Sequence, residues 1–517
     1  MNKLAQLQKE NEALKLKVKQ LELLNNWYIE ELKLKNKEKF GSSSEKADES
    51  QLSLFDLFNE AETLQEPVMQ EPAEEEILVP AHKRKKRKPG EYFKNLPVEV
   101  IEYKLNEEEQ VCDTCGNPLS EMTKEIRREL KVIPASISVV EHVTYLYSCR
   151  TCDKEGTSSF IKKADSPKAL FPKSIASPSV LAYISNQKYC NAMPLYRQEQ
   201  DWKRLGVNLS RQNLSNWTLK AANLLSPLAQ AMKEQMLKEE ILHADETVVE
   251  VLQEPGKAAT SKSYMWLYRT SQMTEYPVIY YDYQVGRSGI FPKQFLKDWQ
   301  GTYLHCDGYA GYKQLGGITL CGCLVQAKRK FHEASVANPN NEDAKKGEAY
   351  LRKLFALESK ADKQAYGLED RLELRNAESK KILDDFYTFI TELSKKTLPQ
   401  SLLGKAITHA QNQKEYLCNF LKDSRIQLSN NLAEQAIKNF VIGRKNWLFS
   451  NTQNGGRGSA LIYSVIQTAI ENKCSPFPYL EYVFEEMQKN PEVDIAKLLP
   501  WSEDIPSKVK INLSQES

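Results

Sequence analysis

The sequence predicts a multidomain chain of the α/β and α classes, in which a mixed α/β core follows smaller helical and cysteine-containing modules. Three observations predict this: leucines at heptad spacing over residues 1–38, two Cys-x-x-Cys pairs, and alternating β-type segments from about residue 241. With 517 residues and 41% hydrophobic residues, the chain has room for about three or four domains and is too apolar for global disorder.

Residues 1–38 show the alternating three-and-four spacing of a coiled-coil leucine zipper. The predicted interface positions are Leu7, Asn11, Leu14, Val18, Leu21 and Asn25. Asparagine at the a position of a heptad favours two parallel helices in register, at some cost in stability. We therefore expect a homo-oligomer, specifically a dimer, formed through this segment. The alternative is one amphipathic helix that packs on its own chain.

Residues 39–90 form a predicted acidic linker that ends in a basic run. Lys46 is the only basic residue between Glu45 and Glu76, whereas residues 83–88 are all lysine or arginine. Such segregation indicates a flexible tether whose end attracts a polyanion. The formal net charge of the whole chain is only +2, so overall charge does not predict nucleic-acid binding.

Four of the ten cysteines form two pairs in a predicted zinc module, residues 91–165. The pairs are Cys112 with Cys115 and Cys149 with Cys152. Two thiolates two residues apart converge in a tight turn, and two such turns complete a closed tetrahedral Zn²⁺ site. Two reduced, metal-free pairs are the alternative.

The expected location is a reducing cytoplasm. Met1-Asn2-Lys3 opens directly into a charged helix rather than a signal peptide, and the sequence has no apolar run of about 18 residues. A reducing compartment suits cysteines that are kept for metal binding or packing. We therefore expect no membrane partner.

Residues 166–236 are predicted to be a helical DNA-binding domain with a helix-turn-helix. One helix runs over residues 194–205, Gly206 provides the turn, and Ser210 caps the next helix. Polar side chains of this second helix could contact phosphates and base edges. They are Arg211, Gln212, Asn213, Asn216 and Lys220. A helical hairpin without DNA contacts is the alternative.

Residues 237–332 are predicted to be the first part of the catalytic core. Strands are expected at 241–251, 264–268, 278–283, 301–309 and 318–324, with a helix near 290–299. The order β-β-β-α-β-α-β is that of a ribonuclease-H-like fold, a mixed sheet that brings acids of neighbouring strands together.

Asp245 and Asp307 lie on two of these strands, and Glu434 lies on a helix of the second core segment, residues 426–475. Carboxylate oxygens suit Mg²⁺ or Mn²⁺. Two such ions would clamp the attacking and leaving oxygens of a phosphodiester in line. We therefore expect these three acids to be both the catalytic residues and the metal ligands.

The 127 positions from Asp307 to Glu434 contain a predicted α-helical insertion, residues 333–425, and residues 476–517 form a C-terminal segment. Mixed charges on the insertion favour a solvated surface, with DNA holding as the alternative. Basic residues after Glu434 are further candidates for DNA contact. They are Lys438, Arg444, Lys445 and Arg457, and Trp447 among them could stack on bases.

Two of these predictions have open alternatives. Lys438 could instead form an i,i+4 ion pair with Glu434, and the remaining basic residues could form an exposed loop. His243 and His305 each precede a candidate aspartate by two residues, which places each histidine on the strand face of its acid. They could pack at the strand ends or contact water or phosphate.

Segments around all three acids resemble the acid motifs of insertion sequence 66 family transposases. These segments are residues 243–247 (His-Ala-Asp-Glu-Thr), 307–312 (Asp-Gly-Tyr-Ala-Gly-Tyr) and 430–437 (Asn-Asn-Leu-Ala-Glu-Gln-Ala-Ile). Residues 443–449 and 455–458, the zipper, the basic run and the paired cysteines follow the family's order, so the resemblance covers nearly the whole chain.

The resemblance implies a DDE transposase that acts at the ends of its own mobile element, usually with two small accessory proteins. Gln326 departs from the pattern, because family members often have the histidine of a Cys-x-x-His at that place. Two other functions are compatible with the sequence. One is a DNA-binding regulator without catalysis, and the other is a ribonuclease-H-like nuclease that does not join DNA.

Overall fold

The computed structural model describes residues 168–511 except 259, the segments 137–148 and 161–163, and scattered positions between 10 and 28. The predicted zinc ligands Cys112, Cys115, Cys149 and Cys152, together with Leu7 and the linker 39–90, lie outside the described residues. The described positions between 10 and 28 are helical, and Leu14, Val18 and Leu21 are exposed there. Two short antiparallel strands, β1 (Leu146–Ser148) and β2 (Ile161–Lys163), pair with each other.

Between residue 168 and the main sheet, the chain forms three helices: α1 (Pro178–Tyr189), α2 (Leu195–Arg204) and α3 (Arg211–Met236). Gly206, with a φ of 85°, makes the turn after α2, and Ser210 caps α3 by accepting from the Asn213 amide at 3.2 Å. The predicted helix-turn-helix pattern is therefore present, and its second helix α3 is 26 residues long. Its buried face extends to Met236 and packs in the same hydrophobic core as the sheet.

The main sheet has the strand order β5-β4-β3-β6-β7, with an eighth strand, β8, that also pairs with β3. The strands are β3 (Ile241–Gln253), β4 (Lys262–Thr270), β5 (Ile279–Gln284), β6 (Tyr303–His305), β7 (Thr319–Cys321) and β8 (Phe449–Thr452). β4 is antiparallel to both β3 and β5, whereas β6, β7 and β8 continue the sheet in parallel. The long strand β3 is therefore central.

The elements between β5 and β7 are shorter than the sequence indicates. Helix α4 (Ile290–Phe295) ends before residue 299, and β6 ends before Asp307. A 3₁₀ turn (Ala310–Gln314) replaces the predicted helix between β6 and β7, and residue 324 begins a helix rather than ending a strand. Over residues 301–309 the sequence predicts a strand that ends in an acid and a turn; the strand has only three residues, and in the turn the Asp307 side chain accepts from the Tyr309 amide at 2.9 Å.

Six helices lie between β7 and the helix that carries Glu434. They are α5 (Leu324–Ala337), α6 (Glu342–Lys363), α7 (Leu368–Leu374), α8 (Lys380–Ser394), α9 (Leu402–Asn412) and α10 (Lys414–Cys418). Their buried side chains form a hydrophobic cluster of their own, which meets the sheet at Ile241 and Cys321. The predicted domain boundary at residue 333 falls inside α5.

The chain then returns to the sheet through α11 (Asn431–Trp447), β8, α12 (Gln453–Glu471) and α13 (Pro476–Lys489). Hydroxyls on α12 bond the backbone of the edge strand β5: the Ile279 amide donates to Thr468 Oγ1, and the Tyr281 amide donates to Ser464 Oγ. Backbone groups of an edge strand would otherwise be unpaired. Helix α12 therefore covers this edge. None of the described helices is long and apolar enough to span a membrane.

Candidate acidic active site

Asp245 and Asp307 lie side by side because of the register of two parallel strands. His243 on β3 pairs with His305 on β6, and each aspartate follows its histidine by two residues. Asp245 projects from the same face of β3 as His243, whereas Asp307 lies in the turn that directly follows β6. Glu434 is in the first turn of α11, which packs on β3 through Ala433, Ala436 and Ile437.

The electrostatics of Asp245 indicate how close the other acids are. Burial raises the pKa of Asp245 well above its ordinary value, and the charges of Glu246, Asp307 and Glu434 raise it further. Like charges act in this way only at short range. The structure therefore brings the three predicted acids into one region, together with a fourth acid, Glu246.

The oxygen atoms of these acids suit a hard divalent cation. Asp245 Oδ1 accepts from the Glu246 amide at 2.8 Å, and Glu434 Oε1 is buried with no hydrogen-bond partner among the described residues. A buried oxygen without a donor is costly unless a cation or water satisfies it. In the described part of the chain, however, no group of three or more His, Cys, Asp or Glu side chains is already arranged to hold a metal ion.

Two arginines that the sequence reasoning did not identify compensate part of this negative charge. Arg287 donates to Glu246 Oε1 through Nε at 2.7 Å, and its Nη2 lies 3.9 Å from Asp307 Oδ2. Arg329 of α5 lies with Nη2 3.8 Å from Glu434 Oε2. Neither arginine belongs to a recognisable motif, so no sequence signal marked them. Glu434 thus has Arg329 as its ion-pair partner, in place of the predicted alternative Lys438.

The Glu246 side chain is almost fully enclosed, with 1% of it exposed. Its Oε2 accepts from the Tyr312 hydroxyl at 2.6 Å, and the Arg287 guanidinium lies 4.0 Å from the Tyr309 ring centroid. Burial raises the pKa of Glu246, and the hydrogen bonds from Tyr312 and Arg287 oppose that rise. Its position directly after Asp245 in the His-Ala-Asp-Glu-Thr segment is the signal that could have identified it.

The segment that departs from the family pattern lies next to Glu434. Cys323 caps α5, and its Sγ accepts from the Asn430 amide at 3.3 Å. Burial raises the pKa of the Cys323 thiol to about 11, and the charge of Glu434 contributes. Gln326 is in the first turn of the same helix and is half-buried. It is therefore an uncharged neighbour of the acidic region.

His243 and His305, which precede Asp245 and Asp307 by two residues, are fully buried. Their rings are stacked, with centroids 5.0 Å apart and an interplanar angle of 4°. Burial lowers the pKa of His305 to about 4 and lowers that of His243 as well. Both rings are therefore neutral at ordinary pH, and their packing excludes contact with bulk water.

The predicted DNA-contacting residues of α3 are all exposed: Arg211, Gln212, Asn213, Asn216 and Lys220. Three of them, Asn213, Asn216 and Lys220, line an open cavity of about 410 Å³. Lys173 and Ser174 also line this cavity. Lys220 Nζ also lies 5.1 Å from the Phe171 ring centroid. A polar, cationic surface therefore lies along the start of this helix.

The basic residues after Glu434 lie on α11 and, for Arg457, at the start of α12. Arg444 Nη1 donates to Thr247 Oγ1 at 3.3 Å, whereas Lys445 and Arg457 are exposed and Lys438 is half-buried. Trp447 is half-buried, and its ring packs edge-on against Tyr189. The alternative of an exposed basic loop is not found, because Arg444 and Lys445 lie on α11 and Arg457 lies on α12, with the short strand β8 between the two helices.

Comparison with known proteins identifies the family. A family model described as Transposase IS66 family matches residues 173–458, which is more than half of the chain and includes all three acids. The chain belongs to the IS66 transposase family. Further matches are the zinc-finger binding domain of transposase IS66 at residues 109–153, transposase C of IS166 homeodomain at 27–101, and the IS66 C-terminal element at 464–501.

These matches bear on the amino-terminal predictions. The zinc-finger match spans both Cys-x-x-Cys pairs, which supports Zn²⁺ as a cofactor. The match at residues 27–101 overlaps the end of the predicted zipper and contains the whole predicted linker, 39–90. The linker is therefore part of a recognised IS66-family segment.

Three relatives from Sinorhizobium fredii cover most of the chain. The uncharacterized protein y4hP is 29% identical over 75% of this chain and 73% of its own length. The uncharacterized protein y4qI is 28% identical over 72% and 70%, and the uncharacterized protein y4jD is 26% identical over 79% and 81%. Their names assign no activity, so function rests on the family and on the site.

Proposed function

We propose that this protein is a DDE transposase that binds the terminal inverted repeats of its mobile element and catalyses metal-dependent DNA cleavage and strand transfer. One observation carries the proposal: Asp245 and Asp307 each follow one of two register partners on the adjacent parallel strands β3 and β6, and Glu434 is in the first turn of the helix that packs on β3. Family membership supports a DNA-cleaving transposase. The strand order β5-β4-β3-β6-β7, with β4 antiparallel, supports a ribonuclease-H-like core.

The three acids would hold two Mg²⁺ or Mn²⁺ ions through their carboxylate oxygens. Bound there, the ions would activate a water or a DNA 3′-hydroxyl and stabilise the departing oxygen. Arg287 and Arg329 would offset the carboxylate charge while the acids are not ligated. Because the described side chains are not already arranged as a cation site, we expect the carboxylates to adjust when ions bind.

DNA contacts would come from several surfaces. The exposed polar side chains of α3 would contact the terminal repeat, in the manner of a recognition helix. Lys438, Arg444, Lys445 and Arg457 would contact phosphates near the acids. Cys112, Cys115, Cys149 and Cys152 would bind a structural Zn²⁺ within the recognition module.

We further propose a dimer formed through the heptad segment at residues 1–38. Leu14, Val18 and Leu21 are 59%, 52% and 58% exposed in the single chain, so an apolar face is available for a second copy. Two small accessory proteins of the same element would act beside this protein. Its substrate would place it with the nucleoid in the bacterial cytoplasm.

A strand-cleavage assay tests the proposal. Purified protein, Mg²⁺ and a labelled element end should yield nicked and joined DNA, and Asp307→Asn should reduce the rate by about 1,000-fold or more, since metal-based stabilisation is worth several kcal/mol. Asp282→Asn is the matched control. Asp282 is a half-buried acid of the edge strand β5 whose pKa burial also raises, but it lies outside the acidic group.

The products decide between the candidate functions. Nicked DNA without joined products would identify a nuclease. DNA binding with no cleavage above that of Asp307→Asn, in Mg²⁺ or Mn²⁺, would identify a DNA-binding regulator and refute the catalytic proposal.

A further inference from the structure

The stacked histidines connect the two aspartate strands to the segment that leads into the Glu434 helix. His243 and His305 are direct register partners on the parallel strands β3 and β6, and both are 0% exposed. Each bonds a residue of the short segment that precedes α11. His305 Nε2 lies 2.8 Å from the Gln427 carbonyl oxygen, and His243 Nδ1 lies 3.0 Å from Asn430 Oδ1.

The partners determine which ring nitrogen carries the proton. A carbonyl oxygen only accepts, so His305 Nε2 is the protonated nitrogen. Asn430 Nδ2 donates to the Ala244 carbonyl at 2.8 Å, so its Oδ1 faces His243 and accepts from Nδ1–H. The opposite nitrogens, His243 Nε2 and His305 Nδ1, have no partner among the described residues. Each histidine therefore makes one directed hydrogen bond, and both bonds point to the same segment.

Asn430 is the residue on which these contacts converge. It is the N-cap of α11, yet its side chain does not cap its own helix. Instead it bonds His243 and Ala244 of β3, while its backbone amide donates to Cys323 Sγ. Side-chain oxygens at N-caps ordinarily satisfy helix N–H groups. The Asn430 side chain instead bonds β3, and these bonds hold the start of α11 against the strand that carries Asp245.

We infer that His243, His305 and Asn430 are positioning residues that hold the first turn of α11, and with it Glu434, against the two aspartates. Glu434 lies four residues after Asn430, one helical turn along α11, and its amide donates to the Asn430 carbonyl at 3.1 Å. A displacement at Asn430 would therefore displace the Glu434 carboxylate directly. The inference rests on the proposed function, because it assigns these residues to the same metal site.

A binding measurement on the metal-free full-length protein tests the inference. The change is His243→Phe, which keeps a flat ring of similar size for stacking but removes the hydrogen-bond donor. Calorimetric titration with Mn²⁺ should show binding weakened about 10- to 100-fold, the usual cost of losing a residue that orients a ligand. Asn430→Ala should give a similar loss.

Asn439→Ala is the matched control. It removes another asparagine side-chain bond of α11, from Nδ2 to Gln467 Oε1 at 2.7 Å, but on the side that faces α12. It should leave Mn²⁺ affinity within about twofold of the wild type. Circular dichroism and thermal midpoints of the metal-free variants report on whether each one folds.

A double-mutant cycle separates positioning of Glu434 from general loosening of the fold. If His243 acts through Glu434, His243→Phe should cost little further Mn²⁺ affinity in a Glu434→Gln background. Fully additive losses, or an equal loss in Asn439→Ala, would overturn the inference and leave the proposed function intact. Wild-type protein that binds Mn²⁺ no better than Asp245→Asn would overturn the metal site itself, and the inference with it.

Discussion

The acidic region around Asp245 and the helical insertion differ in how completely their buried charges are paired. In the insertion, Arg375 is 2% exposed, yet its guanidinium bonds both oxygens of Glu358 and the backbone carbonyls of Phe420 and Asp423. Glu348 likewise has Arg352 and His332 as partners, and these contacts lower its pKa. Each of these buried charges in the insertion therefore has a partner of opposite charge within hydrogen-bond distance.

The sheet region instead places four acids together with incomplete compensation. Arg287 and Arg329 each approach one of the predicted metal ligands only to 3.8–3.9 Å, and the pKa of Asp245 is raised by burial and by its neighbours. Repulsion between buried acids is a cost that a purely structural region avoids, as the insertion does. Strongly perturbed acids in one place are typical of functional sites. The paired charges of the insertion therefore fit a structural role, whereas the incompletely compensated acids at the sheet fit a cation-binding site.

The largest expected effect is a loss of folding stability when one carboxylate of the insertion is removed. Glu358→Gln should lower the free energy of unfolding by about 3 kcal/mol, because it leaves the buried Arg375 without its partner charge. Glu342→Gln is the control, since the Glu342 ion pair with Lys345 is exposed and should be worth less than about 1 kcal/mol. Urea denaturation measures both. Equal, small effects would mean that the insertion does not depend on its buried ion pairs.

Replacing the Asp245 carboxylate by an amide should increase folding stability, the opposite of the effect at Glu358. Asp245→Asn removes a carboxylate whose pKa burial and the neighbouring acids raise in the folded protein, so the metal-free variant should be more stable than the wild type at neutral pH. The cost of ionising Asp245 is absent below its unfolded pKa and fully present above its folded pKa. The advantage of the variant should therefore grow as pH rises through that window.

Thermal melts in EDTA across this pH range measure the difference between Asp245→Asn and wild type. Added Mn²⁺ should stabilise the wild type by about 2.7 kcal/mol at a concentration of 100 times its Kd, and should stabilise the variant much less. A variant that is less stable than wild type at every pH would show that Asp245 is a structural acid.

The smallest expected effect concerns DNA binding by α3, whose charges lie outside both regions. Arg211→Gln should weaken binding to an element end and reduce the slope of log affinity against log salt by about one, because one phosphate contact is lost. Lys497→Gln, an exposed lysine near the C-terminal end of the described residues, should leave the slope unchanged. Fluorescence anisotropy at several salt concentrations measures both slopes. An unchanged slope for Arg211→Gln would place the DNA contacts elsewhere.

Much of the fold could be predicted because local patterns in the sequence are strong. The alternation of apolar residues over 241–251 predicted strand β3, and Gly206 and Ser210 predicted the turn and cap between α2 and α3. The ends of β6 and β7 and the strand β8 were missed. Three- and four-residue strands are stabilised by their pairing partners, and periodicity is too short there to indicate them.

The sequence by itself determined which acids are candidates, because Asp245, Asp307 and Glu434 each lie in a recognisable segment. Only the tertiary structure decided that Arg287 and Arg329 share their surroundings, since the contacts of Arg287 with Glu246 and of Arg329 with Glu434 join residues at least 41 positions apart. It also decided the role of Asn430, which lies 187 positions from the ring that it bonds. Side-chain hydrogen bonds and ion pairs act over a few ångströms, so they depend on which chain segments folding brings together and leave no periodic signal in the sequence.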